Sequence, residues 1–248
     1  MTDSCSQPIN PIKEEIYALI GCLNRLQKKY ELSLGFHADF IKAQFFPYID
    51  NKLSRWDGDI REAVNKWCED PAAAEEKYGH ISQWDVSRVT NMNSLFSYQK
   101  SFNEDISGWD VSNVNNMYGM FNDASSFNQP IGSWDVSNVT TMSYMFERSF
   151  SFNQHIGSWN TQKVITMEGM FYGACKFNQP IGDWDTHNVT NMDNMFSYAT
   201  DFNQHIANWN TKNMTTMEGM FYRAVFFEES IPEEWYRKFD VIRNFYYD

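Results

Sequence analysis

Long apolar runs are missing from this sequence. No stretch of about 18 apolar residues occurs, so nothing reads as a membrane-spanning helix. The opening segment, MTDSCSQPINPIKEEIYALIGC, has no basic region followed by a clean apolar one, because Lys13, Glu14 and Glu15 interrupt it. The expectation is therefore no secretory signal, and an intracellular or particle-associated chain. Positive charge is scarce: 20 Lys and Arg stand against 32 Asp and Glu, a formal net charge of −12. That balance argues against nucleic acid and against an anionic membrane surface, because little is present to neutralise phosphates.

Cysteine and histidine are also thin. Cys5, Cys22, Cys68 and Cys175 are widely and unevenly spaced, which matches no metal-ligand pattern and reads as buried or free thiols rather than a disulfide framework. The histidines are His37, His80, His155, His187 and His205. There is no G-x-S-x-G, Walker A, dinucleotide-binding glycine pattern or H-E-x-x-H. Paired acids of the glycosidase kind are compatible with the sequence, yet nothing singles one out. No catalytic residue, cofactor or metal is expected, and the chain reads as a non-enzyme.

What is present is a repeat. SFNQPIGSWDVSNVTTMSYMF (Ser126–Phe146) returns as KFNQPIGDWDTHNVTNMDNMF (Lys176–Phe196). Trp84, Trp109, Trp134, Trp159, Trp184 and Trp209 follow one another at one unvarying interval, and Met92 to Met217, Phe96 to Phe221 and Ile81 to Ile231 keep the same step. Six units fill Trp84 to Glu233. A double-length period overlays this, since FNQPI alternates with FNQHI and TMEGMFY occurs at Thr166–Tyr172 and Thr216–Tyr222.

Within a unit, Met142, Met145, Phe146 and small Ser149 fall at i, i+3, i+4 and i+7, which predicts a short helix. FNQPI, with Phe127 and Ile131 apolar and Gly132 following, predicts a short strand or an extended rung. One such rung cannot bury its apolar residues alone, whereas stacked rungs cover one another. Parallel pairing implies a rise of about 4.8 Å per rung, which puts His155 and His205 roughly 10 Å apart, too far to share a metal. Asn103, Asn128, Asn153, Asn178 and Asn203 suit a ladder bonded to neighbouring backbone, or a ligand contact; Glu228 replaces them in the last unit. Asp110, Asp135 and Asp185 alternate with Asn160 and Asn210, which fits turn capping better than a calcium column. Asn138, Asn188 and Asn213 lie in N-x-T sequons that read as repeat chemistry rather than sugar sites.

WDVSNVTTMSYMFERSFSFNQHIGSW (Trp134–Trp159) resembles the 25-residue repeat of the BspA-like leucine-rich-repeat surface-protein family. IREAVNKWCEDPAAAEEKYGHISQWDVSRVTNMNSLF (Ile60–Phe96) resembles the segment leading into that family's first repeat. The resemblance implies a solenoid related to leucine-rich repeats, often on cell surfaces or in adhesion, with no catalytic residues to carry over. The expected fold class is thus an α/β repeat solenoid with a short strand and a short helix per rung, preceded by a helical cap. Residues 1–80 form the helical N-terminal region and cap, 81–233 the six-rung solenoid, and 234–248 a C-terminal capping helix.

The spacing predicts helices over Ile12–Tyr30, Phe36–Tyr48, Asp59–Glu69 and Pro71–Tyr78, the last capped by Asp70. The first packs on this chain or docks a partner; the aromatic end, Phe245–Tyr247, is either tucked in or an exposed binding tail. The best guess for a recognition face is the set of variable slots Glu104, Asp105, Gln129, Pro130, Gln154, His155, Gln179, Pro180, Gln204 and His205. Three functions compete: a protein-interaction scaffold, a structural or assembly component whose partners include copies of itself, and a surface adhesin. The first is preferred.

Overall fold

The computed structural model describes residues 53–227 and 231–239. The chain divides into two compact units, Met1–Ser54 and Arg55–Asp248, and only Leu53 and Ser54 of the first are described. The helices expected over Ile12–Tyr30 and Phe36–Tyr48, the substitution at Glu228 and the aromatic end Phe245–Tyr247 lie outside the described residues.

Two helices lead into the repeats. Helix α1 spans Ile60–Glu69 and buries Ile60, Ala63, Val64 and Trp67, one face at helical spacing. Helix α2 spans Pro71–Tyr78. Asp70 starts it by accepting the Ala73 amide at 3.1 Å, with Pro71 in the first turn where its missing N–H costs nothing. Gly79, at φ 75°, ends it. Strand β1 (Ser54–Trp56) pairs with β2 (Asp85–Arg88) in a two-stranded sheet.

From Asn91 onward the rungs join in parallel, one repeat to the next, through single bridges Asn91–Asn116, Asn116–Thr141, Thr141–Thr166, Thr166–Asn191 and Asn191–Thr216. The segment expected to be a short helix is instead a run of tight turns. Leu95 N donates to Met92 O and Ser97 N to Ser94 O, each three residues back. Ser94 and Tyr98 take φ of 51° and 64°, and the same two slots are left-handed in all six rungs. The reason is the destination of the amides. A helix would donate them internally, four residues back. Here Met92, Ser94, Phe96 and Tyr98 donate to Asn116, Tyr118, Met120 and Asn122 of the next rung at 2.7 to 2.9 Å. Left-handed residues turn alternate amides outward at a conformational cost that the inter-rung bonds offset. The FNQxI segment forms neither a helix nor a strand ladder.

The core lies between the turns and the FNQxI segment. The six column tryptophans are 3 to 4% exposed, and the column methionines Met92, Met117, Met142, Met167, Met192 and Met217 are fully buried. Phe96, Phe121, Phe146, Phe171, Phe196 and Phe221 stack at centroid spacings of 5.4 to 5.9 Å. A second column, Phe102 to Phe227, stacks at 5.9 to 6.1 Å. These spacings exceed the parallel-strand rise of about 4.8 Å because stacked rings slide past one another. Each indole N–H from Trp109 onward donates to the carbonyl of an isoleucine in the preceding rung: Trp109 to Ile81 at 2.9 Å, Trp134 to Ile106 and Trp159 to Ile131 at 3.2 Å, Trp184 to Ile156 and Trp209 to Ile181 at 3.1 Å.

The first rung has no predecessor, and cap residues replace one. Trp84 donates its indole N–H to Gly79 O at 2.9 Å. The Arg55 guanidinium, 2% exposed and 2.7 Å from Asp59, lies over the rings of Tyr78 and Trp84 at 4.9 and 5.5 Å. Asp57 accepts the Thr90 amide at 2.8 Å, the Thr90 hydroxyl at 2.6 Å and the Asn91 amide at 3.0 Å. In later rungs a backbone carbonyl does this, as when Thr90 O accepts from Asn115 N at 2.9 Å. Burial is the largest single influence and raises the Asp57 carboxyl, but the Thr90 and Asn91 bonds together outweigh it and hold the group below its usual range.

Two outcomes follow for stability. Asp57→Ala removes a cap and is expected to cost about 1 kcal/mol, the usual loss at such positions. Because the folded pKa is depressed, the contribution is present above the unfolded value of about 3.9 and fades as the pH falls through the folded one. Melting curves of wild type and variant should therefore separate at pH 7 and draw together as the pH falls below about 4; a separation that does not shrink would show that the charge is not involved. Gly157→Ala places a Cβ 2.3 Å from Pro180 O, whereas Gly108→Ala meets nothing nearer than Ser82 O at 4.0 Å. Thermal denaturation should show Gly157→Ala destabilised by about 1–3 kcal/mol, as overpacked sites are, and Gly108→Ala much less affected.

Candidate interaction surface

The variable slots picked from sequence do two different jobs. Gln129, Gln154, Gln179 and Gln204 are half-buried and donate to the preceding rung: Gln129 to Asn103 O at 2.8 Å, Gln154 to Asn128 O at 2.9 Å, Gln179 to Asn153 Oδ1 at 2.9 Å and Gln204 to Asn178 Oδ1 at 2.7 Å. They share acceptors with the asparagine ladder, in which Asn128, Asn153, Asn178 and Asn203 each donate a backbone N–H to the Oδ1 of the asparagine before, at 2.9 to 3.0 Å. The glutamines are therefore committed to the stack. Asp105 accepts the Ser107 amide at 2.9 Å, and bonding from the Ser107 hydroxyl and amide holds its carboxyl below the usual range. Glu104, Asp105, Pro130, His155, Pro180 and His205 are exposed.

The neighbouring polar columns are committed as well. Asp85, Asp110, Asp135, Asn160, Asp185 and Asn210 each accept the amide two residues on, at 3.0 to 3.1 Å, as turn caps. Among the described residues no group of three histidine, cysteine or acidic side chains is placed to hold a metal ion. The sequon asparagines Asn138, Asn188 and Asn213 use Nδ2, the atom a glycan would need, to donate to Ser112, Gln162 and His187 carbonyls at 2.7 to 2.8 Å. Cys175 is half-buried, and burial pushes the Cys68 thiol up to about 11.

The turn segment around the two left-handed slots carries a different population. Every rung places one tyrosine there: Tyr98, Tyr118, Tyr144, Tyr172, Tyr198 and Tyr222. Tyr98 is 71% exposed and Tyr118 43%. Tyr118 meets Tyr144 edge-on at 5.5 Å, and Tyr198 lies 5.5 Å from Tyr172 and 5.3 Å from Tyr222. The Arg223 guanidinium lies over Tyr198 and Tyr222 at 5.7 and 5.6 Å, and Arg148 over Phe150 at 6.0 Å. Phe150 and Ile165 add apolar area at 41% and 50% exposure.

Acids sit among these rings. The Tyr144 hydroxyl donates to Glu168, and burial followed by that carboxylate pushes the phenol well above its ordinary value, so it stays a donor. Glu147 accepts from Asn122 Nδ2, and partial burial raises its carboxyl. Gly169 makes room: a Cβ there would stand 2.5 Å from the Tyr144 ring, on a backbone at φ 55°. The arrangement is a mixed aromatic, arginine and carboxylate surface on a backbone fixed by inter-rung bonds. Sequence reading did not single these tyrosines out: there is one per repeat, but they fall in four different slots.

No curated protein and no solved structure matches the chain. Residues 64–174 and 151–246 match a family described as "Mycoplasma protein of unknown function, DUF285", and both stretches run through the repeats. Matched over most of its length, the chain belongs to this family.

Proposed function

We propose that this chain is a non-enzymatic protein-interaction scaffold, a leucine-rich-repeat-like solenoid of the BspA-like kind whose partners are other proteins. The observation that carries the reading is the turn surface, where each of six rungs presents one tyrosine and Arg148 and Arg223 lie over neighbouring rings. Tyrosine and arginine offer large contact area at a small entropic loss, and they dominate the energetics of protein interfaces. The FNQxI side favours this purpose less, because its glutamines are held by the preceding rung.

Affinity purification from the source cells, followed by titration of the recovered partner, tests the proposal. Replacing Tyr198 and Arg223 together by Ser should weaken binding roughly 30-fold or more, the effect of losing a hot spot. Replacing His155 and His205 by Asp should leave it within a few-fold. Loss of binding only in the histidine variant would move the recognition face to the FNQxI side. A folded wild-type chain that takes up no protein would reject the scaffold reading.

A further inference from the structure

Twice in this chain a pair of aromatic rings set edge-on holds an arginine. Tyr78 and Trp84 meet at 76° with centroids 6.2 Å apart. The Arg55 guanidinium lies over both, at 4.9 and 5.5 Å, and is bonded to Asp59 at 2.7 Å. Tyr198 and Tyr222 meet at 82° and 5.3 Å, with the Arg223 guanidinium over both at 5.7 and 5.6 Å. The cause is common to the two places. Ring faces carry negative charge density, and a planar, weakly hydrated cation lies on them at little desolvation cost.

A third edge-on pair stands on the turn surface. Tyr118 and Tyr144 meet at 67° and 5.5 Å, and Tyr118 is open to a visitor at 43% exposure. The pair is held in place. The Tyr144 hydroxyl donates to Glu168, and Asn191 Nδ2 donates to the same carboxylate at 3.2 Å. Gly169 leaves room for the Tyr144 ring, which a Cβ there would meet at 2.5 Å. Tyr118, Ser143 and Glu168 share one slot in successive rungs. Ser143 is short, 3% exposed and bonded to Thr166 at 2.8 Å, so the slot dips between a ring and a carboxylate.

The charge around this pair is mostly negative. Glu168 and Glu147 both act on the Tyr144 phenol, and Asp193 follows Glu168 in the same slot one rung on. Arg148 also acts on Glu147, but its guanidinium lies 3.7 Å from Asp123 and over Phe150 at 6.0 Å. Lys100 reaches the same Asp123 at 3.9 Å. Two rings with a carboxylate beside them are what Tyr78, Trp84 and Asp59 present to Arg55.

We infer that Tyr118, Tyr144 and Glu168 form a receptor for an arginine side chain of a partner protein, the guanidinium lying on the Tyr118 ring and donating to the Glu168 carboxylate. The assignment rests on the scaffold reading and narrows its partner to one that offers an exposed arginine.

NMR titration of the full chain, read at the tyrosine rings, tests it with N-acetyl-arginine methylamide as the probe. The Tyr118 and Tyr144 signals should shift and saturate. N-acetyl-citrulline methylamide, of the same shape without the charge, should leave them unmoved. Glu168→Gln keeps an acceptor for the Tyr144 hydroxyl and should weaken binding roughly threefold or more. Glu104→Gln, which removes the same charge at an exposed site on the FNQxI side, should not change it. Tyr118→Phe should retain binding and Tyr118→Ser lose it. The absence of a saturable shift up to about 100 mM probe would overturn the assignment. So would an equal response to citrulline, or equal effects of the two charge removals. A recovered partner that still binds Tyr118→Ser combined with Glu168→Gln, yet is lost when Tyr198 and Arg223 are replaced, would sink this receptor and leave the scaffold reading standing.

Discussion

Everything in the repeat region depends on one hydrogen bond made again and again, from an indole N–H to an isoleucine carbonyl in the rung before. Tryptophan has the largest apolar surface available to a core, but it carries a donor that cannot be buried unpaired. Isoleucine has no polar side-chain atom, so its carbonyl is the acceptor to hand. Joining the two across rungs satisfies both groups and leaves no freedom in register. A slip of one residue would strand a donor and an acceptor in a dry core at every rung, at about 1–3 kcal/mol for each unsatisfied group.

With the register held, each other column has a defined partner one step away. Phenylalanine meets phenylalanine, the FNQ asparagine accepts its successor's amide, and the turn amides reach the next rung rather than their own. Contacts are therefore mostly between nearest neighbours, and the ends become the difficult places. The first rung meets Trp67 and Tyr78 edge-on to Trp84, at 6.1 and 6.2 Å, with Arg55 over the same indole and Asp57 in place of a carbonyl. These residues bear no likeness to the repeat, yet they satisfy the same groups.

The period and the core slots were legible because stacking requires like residues at like positions, and so prints itself on the sequence. The backbone within the rung was not. Met142, Met145, Phe146 and Ser149 are all buried at the spacing of a helical face, and a run of turns buries the same four. The clue lay elsewhere: glycine at 119, 169 and 219 shares a slot with Ser94, Tyr144 and Asn194, a mixture explained by a left-handed backbone. That the glutamines are half-buried and bonded to the preceding rung was not legible either, because an outward polar residue and a ladder residue look alike in one sequence. The tyrosines escaped because they occupy four different slots of the turn rather than one column, so the repeat period does not pick them out.

A surface on this frame has its backbone already committed to inter-rung bonds, and under the proposed scaffold reading its aromatic side chains would bind with little ordering cost. The central claim is most directly tested by the exchange rates of the indole protons, resolved by NMR. Trp109, Trp134, Trp159, Trp184 and Trp209 should exchange slowly together, while Trp56, 53% exposed, exchanges fast. Column indoles exchanging as quickly as Trp56 in a folded chain would contradict the account.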